Sequence, residues 1–449
     1  MSYAAALDSL HARVGELHAA PGEPRRKFRL EEMRALVEAL GHPERRFRSI
    51  LIAGTNGKGS TAATLAAILK SAGYKCGLYT SPHLVRVNER IRIDGEAIGD
   101  EEFARHYFRV DDCAQILVSE GKLPGHPSFF EALTAVAFEA FADAQVDLAV
   151  LEVGMGGRLD ATNVVEPLIS VITDISLDHT EWLGETIPLI AREKAGILRR
   201  NGVMVTLPQH PEANRAIGEV AAELDVRGVN AAEFVPSAQG TGYRVQGTES
   251  RNRYALQVMG QTIQVDSPLA GEHQRRNIAL AIAAAVELNQ QGFSSITPKS
   301  IERGVRETHW PGRFQVIAPR PGWPEMVIDV AHNPAGAWAL RSALSERYED
   351  RRLIFVFGAM RDKAISEMAE ILFPLADRVI ATRPENPRAA SPEEIQEAAA
   401  RTGAEIEKVE DVQRAVERAR NISDEGTVLV ITGSIYLVGE VMNEIGAQA

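Results

Sequence analysis

Of 449 residues only two are cysteine, Cys76 and Cys113. They form neither a metal-binding pattern nor a disulfide framework, so free, buried thiols in a reducing compartment are expected. No apolar run approaches the length needed to cross a bilayer. The opening residues, MSYAAALDSLHARVGEL, interleave charged and apolar positions. They read as an amphipathic helix rather than a signal peptide, and the expected location is the cytoplasm. Positive charge is also in deficit. A formal net charge of −12 argues against general binding to nucleic acid or a membrane surface, while leaving room for a local basic pocket for an anion. Internal repeats and low-complexity tracts are missing as well.

What remains is a chain rich in core-forming residues, 45% hydrophobic, and too long for one ordinary domain. Short runs of Val, Ile and Leu, FRSILIAG, DLAVLEVG, PLISVITDI and GVMVTL, have the continuous apolar character of buried parallel strands. Residues 243–265 instead alternate apolar and polar positions, which predicts an antiparallel ribbon. An Ala-rich helical stretch follows and breaks at FSSITPKS, placing the expected boundary near Thr297. Beyond it EMVIDVAHNP, RRLIFVFGAM, DRVIATRPENP and TVLVITGS each read as a strand ending in a turn. The expectation is an α/β chain: a nucleotide-binding domain over residues 1–297, with a phosphate loop and a parallel-rich sheet, and a smaller doubly wound domain over residues 298–449. Ligands of such folds gather at the carboxyl ends of the strands.

The most informative stretch is LIAGTNGKGSTAAT, residues 51–64. It reads as strand, glycine-rich turn and helix, but differs from the common phosphate loop. Only Thr55 and Asn56 separate Gly54 from Gly57, and Gly59 intervenes between Lys58 and Ser60. The physics survives that difference. Three glycines let backbone N–H groups approach an anion, the helix N-terminus faces it, Lys58 supplies a point charge, and Ser60 or Thr61 suits a metal-bound oxygen.

Three further stretches carry candidate chemistry. In DLAVLEVGMGGRLDATN, Glu152 ends a strand where a carboxylate can hold magnesium directly or through water, and Arg158 and Asp160 offer complementary charges. In ISLDHTEWLGETIPLIAREKAGIL, Asp178 and His179 follow a strand, His179 being a candidate metal ligand, and Lys194 lies on the next helix, where a surface ion pair is the alternative. Gln274, Asn277, Arg313, Asp329, His332 and Asn333 lie nearer the second domain, where an Arg fork suits phosphate and Asp suits ribose hydroxyls.

GTNGKGS, TSPHL, NERIR, LEVGMGGRLDATN, LDHTEWLGETIPLIAREKAGI, HQRRNIALA, WPGRFQ and DVAHNP occur in the order seen in folylpolyglutamate and dihydrofolate synthases, a branch of the Mur ligases. The resemblance runs from about residue 45 to VLVITGSIYLVGE. It implies an ATP-dependent ligase that adds L-glutamate to dihydropteroate or to a folate glutamate chain through an acyl phosphate, with a Rossmann-like second domain. By motif, Asn56, Gly57, Lys58, Gly59, Ser60 and Thr61 resemble the phosphate-binding loop, and Asn277, Arg313 and Asp329 resemble ATP contacts. Ser60, Ser81, Glu152 and His179 resemble magnesium ligands, two ions being expected and a monovalent cation a further candidate. Lys194 resembles a lysine that is carbamylated in the family, and His332 a residue lining the interdomain cleft, which together with Lys58 makes the catalytic set. Phe129, Phe130, Glu131 and the segment holding Arg158, Asp160, Thr162 and Asn163 resemble the pterin-binding region. Ala364 stands where the family often has Asp, which bears on the glutamate side of the site, and Ile278 where it often has Ala; neither touches the phosphate loop. The resemblance implies a monomer whose partners are small molecules: ATP, L-glutamate and dihydropteroate or reduced folate. The rival enzyme, a cell-wall Mur ligase, would normally carry a nucleotide-sugar domain before the loop, where only about fifty residues stand. A GTPase-like switch would need an Asn-Lys-x-Asp stretch, which the sequence lacks; a non-catalytic nucleotide-binding module is the remaining alternative.

Overall fold

The structure, a computed structural model, describes residues 2–12, 29–236 and 251–446. Eight strands build the first sheet: β1 (Arg48–Ala53), β2 (Cys76–Tyr79), β3 (Ile91–Ile93), β4 (Glu96–Ala97), β5 (Leu148–Glu152), β6 (Ile169–Ile172), β7 (Val203–Thr206) and β8 (Arg227–Asn230). Their order is β4-β3-β2-β5-β1-β6-β7-β8, parallel except at the β2, β3 and β4 edge. The parallel-rich sheet expected from the apolar runs is present, and β1 lies between β5 and β6.

Alternation along β1 and β5 divides the apolar residues between two cores. Leu51, Ala53, Ala149 and Leu151 enter one, with helices Asp100–Ser119 and Phe129–Asp143; Ile50, Ile52, Leu148 and Val150 enter the other, with helices Lys58–Ser71 and Glu272–Gln290. A fully buried Ile contributes about 1.5–3 kcal/mol, so a strand clamped on both faces is a rigid support for the turn that follows it. The helix after β1, Lys58–Ser71, is preceded at its N-cap by Gly57, whose φ of 88° is left-handed. It ends in a Schellman motif, Tyr74 N–H donating to the Leu69 carbonyl and Gly73 N–H, at φ 90°, to that of Lys70.

The ribbon pairs β9 (Asn252–Val258) with β10 (Gln261–Ser267) through a turn at Met259 and Gly260, both at positive φ. Residues 243–250 of the expected ribbon, and residues 13–17 of the expected first helix, lie outside the described residues. The second sheet has six strands: β11 (Gln315–Ile317), β12 (Glu325–Ile328), β13 (Arg352–Phe357), β14 (Arg378–Ala381), β15 (Ile406–Lys408) and β16 (Thr427–Thr432). They run in the order β11-β12-β16-β13-β14-β15, parallel except for β11. Cys76 is buried and Cys113 half-buried, both as free thiols.

Thr297 N-caps the helix Pro298–Arg306, whose Ile301 and Val305 belong to the core around Ile50 and Ile52, so that core continues past the composition break. Gly304 explains the closeness of the packing. A Cβ there would lie 2.4 Å from the Ile68 Cα and 2.6 Å from its nitrogen. Gly304→Ala should therefore push this helix off the phosphate-loop helix and cost about 1–3 kcal/mol, outweighing alanine's helix preference. Urea denaturation checks this; unchanged or raised stability would show that the helices separate freely.

Candidate active site

At the carboxyl end of β1 the chain turns so tightly that side chains are excluded. A Cβ on Gly54 would stand 1.8 Å from the Thr173 hydroxyl, and one on Gly57 2.1 Å from the Asn277 carboxamide oxygen. The turn is fastened from β6: Thr55 and Asn56 N–H both donate to the Asp174 carbonyl, at 2.9 and 3.2 Å. The N–H groups of Gly57, Lys58, Gly59 and Ser60 lead the helix and have no intrahelical acceptor, which makes this the anion-facing end. Lys58 lies back across the turn, its Nζ 3.1 Å from the carbonyls of both Gly54 and Thr55.

Lys194 shares one of those carbonyls. Its Nζ donates to Gly54 at 2.7 Å from a side chain that is 4% exposed. The surface ion pair considered for it from the sequence does not form. Burial, with Lys58 close by, holds its pKa down to about 7. Glu152, at the end of β5, is equally buried and accepts one hydrogen bond from the Ser81 N–H at 3.2 Å. Burial raises its pKa against the opposing pull of Lys58, that N–H, Arg313 and Arg90.

The opposite wall comes from the second unit. Asp329, just past β12, accepts from Phe314 and Ala331 N–H at 2.8 Å each and faces Arg313 electrostatically. Asn333 caps the helix Pro334–Arg347 and donates to Asn56 Oδ1 at 3.0 Å. The Lys363 Nζ lies 2.9 Å from Asp178 Oδ1, with both side chains 12% exposed. Burial alone would raise the Asp178 pKa, but His179, Lys363 and His332 hold it below the usual carboxylate range. His179 and His332 are each pushed down to about 4, chiefly by burial, with Lys363 adding to the effect. The His332 Nδ1 is 2.9 Å from the Val330 carbonyl, which fixes the tautomer and leaves Nε2 as an acceptor.

These groups line one cleft of about 580 Å³. Of the candidate catalytic, binding and metal-ligating residues named from the sequence, all line it except Thr61, Phe129, Thr162 and Asn163. Thr61 is buried in the helix behind the loop, and Phe129 lies beside the Arg90 guanidinium. Thr162 and Asn163 stand behind the wall, the first bonded to Asp160, the second to the Arg158 and Gly196 carbonyls. Arg158 and Asp160, which offer complementary charges, do not pair with each other. Arg158 pairs with Glu193 at 2.9 Å, while Asp160 accepts from Met155 and Thr162 N–H and so braces the glycine-rich turn.

Sequence reasoning missed several contributors. Arg276 holds Asp174 through two bonds, at 3.0 and 2.5 Å, and so secures the carbonyl that anchors the loop. The Trp310 ring packs against Gly59, where a Cβ would lie 2.8 Å from it. Leu30 and Met33 join Phe130, Met155, Trp182 and Leu183 on an apolar flank of the cleft. An amphipathic Leu30–Ala39 helix was the available signal for two of them. Among the described residues, no three His, Cys, Asp or Glu side chains form a ready metal cage. The donor set of Glu152, Ser60, Ser81 and His179 instead fits an ion that is completed by phosphate oxygens and water.

Residues 111–285 match the Mur ligase middle domain and residues 312–435 the Mur ligase glutamate ligase domain. The dihydrofolate synthase/folylpolyglutamate synthase of Bacillus subtilis is 33% identical over 93% of this chain and 94% of its own length. The chain belongs to the dihydrofolate synthase/folylpolyglutamate synthase family. Mycobacterium tuberculosis folylpolyglutamate synthase, solved with ADP and AMPPCP, superposes with a TM-score of 0.85 at 34% identity, over 94% of this chain and 96% of the other. E. coli FolC, solved with DHPP and ADP, superposes with a TM-score of 0.82 at 30% identity, over 100% and 98%. The family's ATP-dependent ligase chemistry replaces the cell-wall, switch and non-catalytic readings of the loop.

Lys194 gives the site a pH signature. Its folded pKa, about 7, lies below the ordinary value of 10.5, so between those limits the unfolded chain binds the extra proton and stability rises with pH. In bicarbonate-free buffer, the stability of the parent protein relative to Lys194→Met should climb from pH 7 to 10, by at most about 1.4 kcal/mol per pH unit. Urea denaturation across that range checks it; a constant difference would mean that the ammonium stays charged when buried.

Proposed function

We propose that this chain joins L-glutamate to the carboxylate of dihydropteroate, of a folate glutamate chain, or of both, using ATP to make the carboxylate an acyl phosphate. The observation that carries the reading is the convergence on one cleft of an anion-facing helix N-terminus, a buried carboxylate and an Arg313–Asp329 wall from the second unit. A carboxylate is a poor acyl donor because its oxygen leaves badly; as an acyl phosphate it leaves as phosphate.

ATP would lie with its phosphates on the N–H groups of Gly57–Ser60, while Asn277, Arg313 and Asp329 hold the nucleotide. Lys58, which rests on two carbonyls, would move onto the transferring phosphoryl group. Ser60, Ser81, Glu152 and His179 would hold magnesium, two ions in all with room for a monovalent cation; bound there, the metal would neutralise charge spreading over the phosphoryl oxygens. The apolar flank with Phe130 suits a flat pterin ring, with Glu131, Arg158 and Asp160 at its polar margin. As the glutamate amine attacks the acyl carbon, the free Nε2 of His332 would take its proton. Lys194, an amine with its proton held loosely, is suited to carbamylation: the neutral nitrogen would attack carbon dioxide and lose a proton, turning a donor into an anionic acceptor. One chain supplies both walls of the cleft, so a monomer suffices; the cytoplasm, where ATP and glutamate are abundant, is the proposed location, and small molecules are the proposed partners.

The test is phosphate release with mass analysis of products, supplying magnesium, ATP and glutamate with 7,8-dihydropteroate or tetrahydrofolate. Amide formed with either acceptor supports the reading, and the acceptor used names the activity; release with neither would overturn it. Lys58→Ala should lower kcat at least 10²-fold with the circular dichroism spectrum unchanged, whereas near-normal ligation would remove Lys58 from the phosphoryl step. Lys194→Ala should lose activity and regain part of it with added acetate or formate, while indifference to both would argue against the carbamate.

A further inference from the structure

The two units meet at a place no catalytic side chain explains. Residues 80–90 leave the end of β2 as a loop closed by Thr80 N–H on the Arg90 carbonyl at 2.9 Å. Its tip is braced by a single carboxylate: Glu89 accepts from the N–H groups of Leu84, Val85 and Arg86 at 2.8, 2.9 and 2.5 Å. Arg90 Nε also donates to His83 at 2.9 Å. A loop tied this often at both base and tip moves as one piece.

That piece belongs to the first sheet, yet Leu84 and Val85 pack on the hydrophobic core of the second unit. The seat is Gly439, in the helix Ile435–Glu444. A Cβ there would lie 1.9 Å from the Leu84 carbonyl oxygen and 2.9 Å from its carbon, so backbone meets backbone. The Leu84 side chain rests on Gly312, where a Cβ would fall 3.3 Å from its Cδ2. Gly439 sits on an ordinary helix where glycine costs helix stability, so its use there has to be explained by the contact. At the loop's other end is Ser81, whose N–H holds Glu152.

We propose that Gly439 and Leu84 are positioning residues that seat the braced loop on the second unit, so that closure of the cleft and the placing of Ser81 against Glu152 occur together. The seat keeps water from the activated carboxylate. With the cleft ajar, the substrate carboxylate attacks ATP more slowly to give acyl phosphate and ADP, and water then attacks the acyl phosphate, releasing phosphate and returning the carboxylate, for net hydrolysis of ATP. This inference rests on the ligase reading above.

The experiment measures phosphate released per amide formed, in the full-length protein and in Gly439→Ala and Leu84→Ser, alongside ADP affinity by calorimetry. The parent should give one phosphate per amide; if it forms no amide, the ligase reading fails and not the seat. Either variant should raise the ratio about threefold or more while ADP still binds, because the loop Gly54–Ser60 is untouched and only the contacts from Arg313 and Asp329 are weakened. Both ratios remaining at one, whatever the rates, would overturn the proposal. Loss of ADP binding in both variants would also overturn it, since the contact would then serve folding rather than closure.

Discussion

Backbone meets side chain at Gly54 and Gly57 at distances no other residue permits, and the whole site is built around that approach. Thr173 and Asn277 occupy the space where the two Cβ atoms would be. Asp174 then fixes the turn by its carbonyl, and Arg276 fixes Asp174 by its carboxylate. Because β6 and the helix Glu272–Gln290 both close on the turn, the direction of the next helix, and hence of its free N–H groups, is set by packing rather than by the turn's own preferences.

Charge is arranged around the same point. Two ammonium groups, Lys58 and Lys194, rest on the Gly54 carbonyl, with Glu152 opposite and Arg313 beyond it. Like charges this close, one of them buried, are tolerated because one gives up its proton readily, and the arrangement favours any anion that enters. Contacts that cross the cleft, Asn56 with Asn333 and Asp178 with Lys363, tie the nucleotide side to the second sheet. A cleft held this way can shed water when it fills, which acyl phosphate chemistry requires.

Much of this was legible in the sequence wherever the relevant residues are consecutive. The continuous apolar runs of β1, β5, β6, β12, β13 and β16 are buried on both faces, so periodicity and length sufficed. Short exposed strands such as β4 and β8 give no such signal. The polar break before Thr297 marked the end of a helix rather than of a core: an amphipathic helix shows that one face is buried, not against which sheet. Likewise the loop, Glu152 and Lys194 were found by their motifs, whereas Lys363 with Asp178 and Arg276 with Asp174 join residues more than a hundred positions apart. Arg158 and Asp160, two residues apart in a turn, point to different neighbours that their spacing does not reveal, Asp160 to backbone N–H groups and Arg158 to Glu193 on another helix.

The chemistry proposed for the site turns on passage of the phosphoryl group held by the Gly54–Ser60 turn to the acceptor's carboxylate. It is tested most directly with an acceptor whose carboxylate oxygens are ¹⁸O-labelled, by mass analysis of the phosphate released as amide forms. Each phosphate should carry one labelled oxygen, because the bond broken when the amine attacks is the one between the acyl carbon and that oxygen. Unlabelled phosphate accompanying labelled amide would show that ATP is split by water, and that the carboxylate never becomes an acyl phosphate.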